Sequence, residues 1–181
     1  MNKKIVVRLE KELSLVEDFV GLIRTSSEKA LDVQLAVLRV LTQKNKNILF
    51  VSTTRPYSNI FTLLKKNNIP TNKITIFDTT GKREPETNEE HVSYFDIEAL
   101  TNLSIEINTY ITVNNSDTVI FFDSLTTLFI NNKQDVFLKF IHFLLTKIRI
   151  NKSSSILISF EKEGTGDIQD IMQLCDKIVI I

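Results

Sequence analysis

The sequence predicts an α/β fold, a doubly wound and mostly parallel sheet with helices on both faces. Apolar runs of strand length recur along the chain and are separated by stretches with helical periodicity. Several runs are apolar throughout, which is typical of parallel strands buried on both faces. Strands that alternate with helices of this length pair through right-handed crossovers. The seven predicted strands are Phe19–Ile23, Ile48–Val51, Ile74–Phe77, Val92–Phe95, Val119–Phe122, Ile156–Phe160 and Ile178–Ile181.

The first two helices are predicted from boundary residues and apolar spacing. Thr25 and Glu28 have the spacing of a capping box, so the first helix is expected to begin near Ser27. Pro56 suits the first turn of a second helix that ends near Asn67. The apolar positions of these helices are Leu31, Leu35, Leu38 and Leu41 in the first, and Ile60, Leu63 and Leu64 in the second.

Two further long helices are expected after Asp96 and from about Gln134 to Lys147, and a short one after Gly166. The third helix carries Ile97, Leu100, Leu103, Ile107 and Ile111, and the fourth is expected to face Val136, Phe140, Phe143 and Leu144 inward. The fourth helix has an unusually broad apolar sector formed by Phe137, Phe140, Ile141, Phe143, Leu144 and Ile148. Two interpretations stay open: the whole sector lies in the core, or part of it packs against a second subunit.

Length and composition favour a single domain spanning residues 1–181. The chain is 43% hydrophobic and 24% charged, which allows one substantial core. Lysine plus arginine number 22 and aspartate plus glutamate number 22, so nucleic acid or anionic lipid could bind only through a local patch. Cys175 is the single cysteine, which excludes an internal disulfide, and it is expected to be a small core residue.

The first residues favour a cytoplasmic location. Only Ile5, Val6 and Val7 are apolar before Arg8. Such a run is too short for the apolar region of a signal peptide or for a membrane-spanning helix. We therefore expect no membrane association.

The turn after the first strand occupies the position of a phosphate-binding loop but lacks its chemistry. Such loops read Gly-x-x-x-x-Gly-Lys-Ser/Thr, because backbone N–H groups must approach phosphate without intervening side chains. Here Gly21 lies inside the strand, and no other glycine precedes Lys29. Glu28 adds a repelling carboxylate, and Ala30 lacks the hydroxyl that binds magnesium.

Two interpretations of the segment from Thr25 to Lys29 remain. The hydroxyls of Thr25, Ser26 and Ser27, with Lys29, could bind a nucleotide, phosphate or carboxylate at the positive end of the first helix. Alternatively, these hydroxyls cap the helix and Lys29 is a solvated lysine. The sequence favours the second interpretation.

The strand that ends on Asp123 and Ser124 marks the other candidate site. A carboxylate at the carboxyl end of a buried parallel strand projects into the crevice where ligands bind. Asp123 could hold magnesium alone or with Asp78, although strand-end aspartates often cap the following turn instead. Ser124 as a nucleophile lacks support, because His91 is expected at the surface and His142 on a helix. One cysteine and two histidines exclude a zinc site.

In element order the chain resembles the RecA/KaiC-like P-loop ATPase superfamily, and most of all its small, degenerate archaeal members that lack a Walker A motif. The resemblance covers roughly residues 17–181, and it is sharpest at Val51-Ser52-Thr53 and at the run from Ile120 to Leu125. It implies a core that binds ATP between subunits through a phosphate loop, a magnesium-associated aspartate and a water-activating glutamate. Only the aspartate carries over, to Asp123, because Thr53-Thr54-Arg55-Pro56 stands where the glutamate is expected.

The expected function is therefore that of a catalytically inactive regulatory, signalling or scaffolding module without a cofactor, which binds a protein partner or a second copy of itself. The loops from Thr79 to Glu90 and from Glu161 to Asp167 are candidate contact segments. One alternative is an ATP-binding protein or weak ATPase that uses Thr25–Lys29 with Asp123 and magnesium. A further alternative, a recombinase-like accessory protein on DNA, is disfavoured by the neutral charge and the lack of a basic, aromatic-bearing stripe.

Overall fold

In the described part of the chain, seven strands form one sheet, and all pairings between these strands are parallel. The structure is a computed structural model that describes residues 2–13, 19–81, 91–114, 117–160 and 168–181. The strands are β1 (Val20–Thr25), β2 (Asn47–Ser52), β3 (Ile74–Asp78), β4 (Val92–Tyr94), β5 (Thr118–Phe122), β6 (Ser154–Phe160) and β7 (Lys177–Ile180). Their order across the sheet is β4-β3-β2-β5-β6-β1-β7. The predicted fold class and all seven predicted strands are confirmed.

Helices cover both faces of the sheet. They are α1 (Lys3–Glu12), α2 (Ala30–Gln43), α3 (Tyr57–Lys66), α4 (Leu100–Asn114), α5 (Leu125–Ile130), α6 (Gln134–Ile150) and α7 (Ile168–Met172). The first three helices share one apolar cluster with the sheet, and the last four share another. The strands divide their side chains between these clusters by alternation, as Leu22 and Ile23 of β1 show. The chain is therefore doubly wound.

Strand β5 lies in the interior of the sheet, and all five of its residues are buried. The rings of Phe50 on β2 and Phe121 on β5 stack with centroids 5.0 Å apart on the α2 side. Each fully buried side chain of this size contributes about 1.5–3 kcal/mol to folding. The burial explains why this run contains no polar alternation and why it was recognisable in the sequence.

Helix α1 was not among the predicted helices. It is amphipathic, and Ile5, Val6 and Leu9 bury one face in the cluster that contains α2. The side chain of Asn2 caps its first turn by accepting a 3.0 Å hydrogen bond from the backbone N–H of Lys4. A short, strongly charged helix with few apolar residues gains its stability from this packing rather than from its own propensity.

The predicted start of the first long helix is wrong. Helix α2 begins at Ala30, and Lys29 precedes it without a side-chain capping bond. The residues before it form a turn closed by backbone bonds, in which the N–H of Lys29 donates to Ser26 O at 3.1 Å and that of Ala30 to Ser27 O at 3.4 Å. These backbone bonds replace the predicted capping box between Thr25 and Glu28.

The expectation that Val136 and Phe143 face inward is also wrong. Both side chains are exposed, by 40% and 43%, whereas Phe140 and Leu144 are buried as predicted. Helix α6 continues to Ile150, beyond the predicted end at Lys147.

Most of the first predicted contact loop, residues 82–90, and all of the second, residues 161–167, lie outside the described residues. In the part of the chain that the structure describes, no helix has the length and apolar character needed to cross a membrane.

Candidate functional site

The candidate site lies where neighbouring strands β2 and β5 end. Val51 of β2 is in register with Phe122 of β5, so the residues that follow them, Ser52 and Asp123, lie side by side. The backbone N–H of Asp123 donates to Val51 O at 3.3 Å, which continues the pairing past the end of β5. The strand ends thus bring the Asp123 carboxylate against the segment Ser52-Thr53-Thr54.

Among the described residues, five groups lie within hydrogen-bond distance of the Asp123 carboxylate. Oδ1 accepts from the backbone N–H and from Oγ1 of Thr53, both at 2.8 Å. Oδ2 lies 2.7 Å from Thr54 Oγ1, 3.2 Å from Ser52 Oγ and 3.3 Å from Gln34 Nε2. A carboxylate can accept hydrogen bonds at about four lone-pair positions, so these groups occupy its acceptor positions. The side chain is only 4% exposed. We call Gln34, Ser52, Thr53, Thr54 and Asp123 the Asp123 cage.

Burial raises the pKa of Asp123, and the hydrogen bonds from Thr53, Thr54 and Ser52 oppose the rise. The Ser52 hydroxyl has a second acceptor besides Asp123. Its Oγ lies 2.6 Å from Arg55 O, closer than to Asp123. Since a hydroxyl has one hydrogen, Ser52 shares it between Arg55 O, the nearer acceptor, and Asp123 Oδ2, so its bond to Asp123 is weaker than those of Thr53 and Thr54.

Asp78, at the end of β3, is also held by protein donors. Its Oδ2 accepts from the backbone N–H of Tyr57 at 2.7 Å, and its Oδ1 accepts from Thr80 N at 2.8 Å and Thr80 Oγ1 at 2.7 Å. It is fully buried. Strand β2 lies between the strands that carry Asp78 and Asp123, and each carboxylate has its own donors. Among the described residues, no group of three or more His, Cys, Asp or Glu side chains is arranged to hold a metal ion.

The segment Thr25–Lys29 lies at the end of β1. Thr25 is buried, whereas Ser27, Glu28 and Lys29 are exposed. A phosphate-binding nest needs successive N–H groups brought together by a left-handed residue. In the described chain, positive φ angles occur at Asn45, Asn68, Gly81 and Lys152, and none lies in this segment. The turn therefore lacks the backbone shape of a phosphate loop.

Ser124 and the two histidines have other roles or positions. The buried Ser124 hydroxyl accepts a 3.1 Å hydrogen bond from Thr127 N and caps α5. His91 and His142 are both exposed, as expected for His91. Neither belongs to the Asp123 cage, so no base stands beside Ser124 there.

The structure brings Asp123 and Ser124 to the end of β2 but does not bring Thr25–Lys29 to them. Strand β6 lies between β1 and β5. Two strand spacings separate the two strand ends by about 10 Å. The predicted nucleotide-binding residues thus form two groups along one edge of the sheet, with the end of β6 between them.

Sequence reasoning missed Gln34 and Thr54 as partners of Asp123. Gln34 lies on α2 and is 5% exposed, which is rare for glutamine. The signal that could have indicated the cage is the run of three hydroxyl residues at Ser52-Thr53-Thr54, directly after a buried strand. Hydroxyls in such a place can satisfy a buried carboxylate.

These residues do not fit a magnesium nucleotide. Magnesium in nucleotide sites is held through carboxylate and hydroxyl oxygens, yet the oxygens of Asp123 already accept from five protein groups. The turn before α2 offers no left-handed residue to cradle phosphate, and it carries Glu28.

Several solved structures share the fold. The flagellar accessory protein FlaH of Methanocaldococcus jannaschii is 15% identical with a TM-score of 0.68, over 96% of this chain and 76% of FlaH. The uncharacterised protein PH0321 of Pyrococcus horikoshii, solved in complex with an unknown peptide, is 11% identical with a TM-score of 0.70, over 96% of this chain and 82% of that one. The KaiC-like protein PH0186 of Pyrococcus horikoshii is 12% identical with a TM-score of 0.61, over 91% and 71% of the two chains.

No protein-family model and no curated protein matches the sequence. The structural likeness therefore stands on the arrangement of strands and helices, not on shared residues. On that arrangement, the chain has the RecA/KaiC-like fold.

Proposed function

We propose that this chain is a RecA/KaiC-like domain that does not hydrolyse ATP and acts through protein contacts, as a regulatory or scaffolding module. The single observation that carries the proposal is the Asp123 cage. The one carboxylate that the resemblance would assign to magnesium accepts instead from Gln34, Ser52, Thr53 and Thr54.

The other elements of phosphoryl transfer support the same proposal. Catalysis of this reaction is almost entirely positioning and electrostatic stabilisation of the phosphates. The turn from Thr25 to Lys29 has no phosphate-cradling backbone, and Thr53 and Thr54 stand where a water-activating glutamate would. Thr53 and Thr54 donate to Asp123 and have no carboxylate with which to activate water.

A role in protein contacts is supported by two observations. Large apolar side chains remain exposed on the helices of one face, including Phe143 and Ile150 on α6. One protein of the same fold, PH0321, was solved in complex with a peptide. Exposed apolar groups that a core does not use are typical of interaction surfaces.

Thermal unfolding with and without magnesium and millimolar ATP tests the nucleotide half of the proposal. A ligand at a hundred times its dissociation constant would stabilise the native state by about 2.7 kcal/mol. For a chain of this size that corresponds to a rise of several degrees in Tm, at about 2–4 °C per kcal/mol. We expect no rise with ATP or ADP and no release of phosphate.

Lys29→Ala and Lys133→Ala form a matched pair for this experiment. Both lysines are exposed, and each directly precedes a long helix without a side-chain capping bond. A rise in Tm with ATP that Lys29→Ala removes and Lys133→Ala keeps would overturn the proposal in favour of nucleotide binding. Turnover of ATP by the purified chain would establish the weak-ATPase alternative.

A further inference from the structure

The exposed apolar side chains are concentrated on two neighbouring helices. Of the eight large apolar side chains that are exposed in the described part of the chain, five lie on α4 and α6. They are Ile105 and Val113 on α4, and Val136, Phe143 and Ile150 on α6. We call this surface the α4–α6 face. An apolar concentration of this kind, rather than single scattered residues, marks an interaction site.

The two helices lie side by side with matching ends. A cleft of about 240 Å³ between them is lined by Leu100, Thr101 and Ser104 of α4 and by Val136, Lys139, Phe140 and Phe143 of α6. The first turns of α4 therefore adjoin the first turns of α6. Because both helices rise equally per residue, Ile105 lies near the level of Phe143, and Val113 near that of Ile150.

The charges on the two helices are complementary. Glu106 is the only charged residue in α4, and it is exposed. Helix α6 carries Lys139, Lys147 and Arg149 against a single acid, Asp135. Lys139 pairs with Asp135 at 3.9 Å, and Arg149 pairs with Asp176 at 3.0 Å. Lys147, about one turn from the level of Glu106, is therefore the base that Glu106 of a second copy would meet. A two-fold axis parallel to the helices lays α4 of one copy on α6 of the other at the same level. The acidic helix then meets the basic one twice, and the apolar side chains of each copy meet those of the other.

The size of this face fits a weak dimer. Helices of 15 and 17 residues are about 22 and 25 Å long, and two packed side by side cover a width of about 20 Å. Two such faces together would bury roughly 1,000 Å², which is at the low end for a specific interface. Interfaces of this size are typical of weak or transient contacts, so we expect a dissociation constant in the micromolar range.

We propose that the α4–α6 face is the contact surface of a two-fold symmetric dimer of this chain, in which α4 of each copy lies on α6 of the other. The inference rests on the proposed function, since a domain that acts through protein contacts must present a surface for them. It names that surface and its occupant, a second copy of the chain.

Sedimentation velocity of the full chain over a concentration series tests the dimer. Wild type should pass from monomer to dimer as its concentration rises through the micromolar range. Phe143→Glu, which places a carboxylate in the centre of the face, should raise the dissociation constant at least tenfold. The matched control is Val7→Glu, because Val7 is 65% exposed but lies on α1 at the other side of the sheet.

Two charge-reversal variants distinguish this dimer from one that is held by apolar contacts on another surface. Glu106→Lys makes α4 basic and should weaken the dimer several-fold, whereas Glu10→Lys on the exposed side of α1 should leave it unchanged. Circular dichroism of each variant confirms that the fold is retained.

A monomer at every concentration, or a dimer that Phe143→Glu leaves intact, would overturn the inference; the second result would place the dimer on another surface. Binding of a different protein by a chain that stays monomeric would also overturn it. None of these results concerns ATP. The proposed function is tested by turnover in the same samples, so the two can fail separately.

Discussion

Asp78 and Tyr57 join a strand end to a helix start, because Asp78 Oδ2 at the end of β3 accepts a 2.7 Å hydrogen bond from the backbone N–H of Tyr57, the first residue of α3. Pro56, which precedes the helix, has no side chain that can accept this bond. A carboxylate from a neighbouring strand thus supplies the cap that the local sequence lacks.

Asp78→Ala should lower the free energy of unfolding by about 2–3 kcal/mol, because it leaves the N–H groups of Tyr57 and Thr80 without their buried acceptor. Urea unfolding followed by circular dichroism measures the change. Asp96→Ala is the control, since Asp96 is exposed and its side chain accepts from Glu98 N at 3.0 Å. Equal losses in both variants would show that the cap of α3 contributes nothing of its own.

Asp123→Asn should also destabilise the fold, by about 1–3 kcal/mol at neutral pH. An amide replaces one accepting oxygen with a donor, which then faces donors of Thr53 or Thr54. Urea unfolding measures the loss. If instead the variant matched wild type in stability, the Asp123 carboxylate would not be held as described.

Thr54→Val tests the Asp123 cage through one of its hydrogen-bond donors. It removes the 2.7 Å bond to Asp123 Oδ2 and keeps the shape of an exposed side chain. Because other donors remain on this oxygen, the expected loss is smaller, about 1 kcal/mol. A loss as large as that of Asp123→Asn would mean that the remaining donors do not hold the carboxylate.

The stability of the fold should depend on pH in the way expected for Asp123, a buried acid whose pKa is raised. Burial raises the pKa of Asp123 in the native state above its value in the unfolded chain, which is about 3.9. The stability that proton binding to this group contributes is complete below the unfolded-state pKa and is lost as pH rises through the native pKa. The difference in unfolding free energy between wild type and Asp123→Asn should therefore shrink from about pH 4 toward neutral pH. A difference that grows over this range would contradict a raised pKa.

Gly21→Ala should destabilise β1 without any connection to ligand binding. A Cβ at this position would lie 2.9 Å from Phe19 Cε1 and 3.2 Å from Ile156 Cδ1. Crowding of this kind in a packed core costs about 1–3 kcal/mol. Thermal unfolding measures the loss. Gly81→Asn, at a left-handed φ of 76° with open space around it, is the comparison in which a loss would come from backbone strain and not from crowding. An unchanged Tm in Gly21→Ala would show that β1 can shift.

The sequence was sufficient to predict the strands, because parallel strands buried on both faces appear as continuous apolar runs. It was not sufficient for α1, whose apolar stripe of Ile5, Val6 and Leu9 is short and interrupted by charge. It was also insufficient for the start of α2, because backbone bonds at Ser26 and Ser27 took the place of the predicted capping box.

The candidate site could be predicted only in part. Asp123 was recognisable from its place after a buried strand, but its donors come from segments 69 to 89 residues away in sequence. Periodicity and propensity describe local structure, so they cannot place Gln34 of α2 beside Asp123. That contact depends on how the strands are ordered in the sheet.

The strand order has a further consequence for how the chain becomes folded. Strand β1 pairs with β6 on one side and β7 on the other, and both belong to residues 154–180. During synthesis β1 has neither neighbour until residues 154–180 have left the ribosome. Bringing β1 to these distant strands closes a long loop, which costs conformational entropy before the strand pairing can offset that cost. Strand β1 can therefore pair only after β6 and β7 have been synthesised. Until then its apolar residues are open to incorrect pairing in the nascent chain.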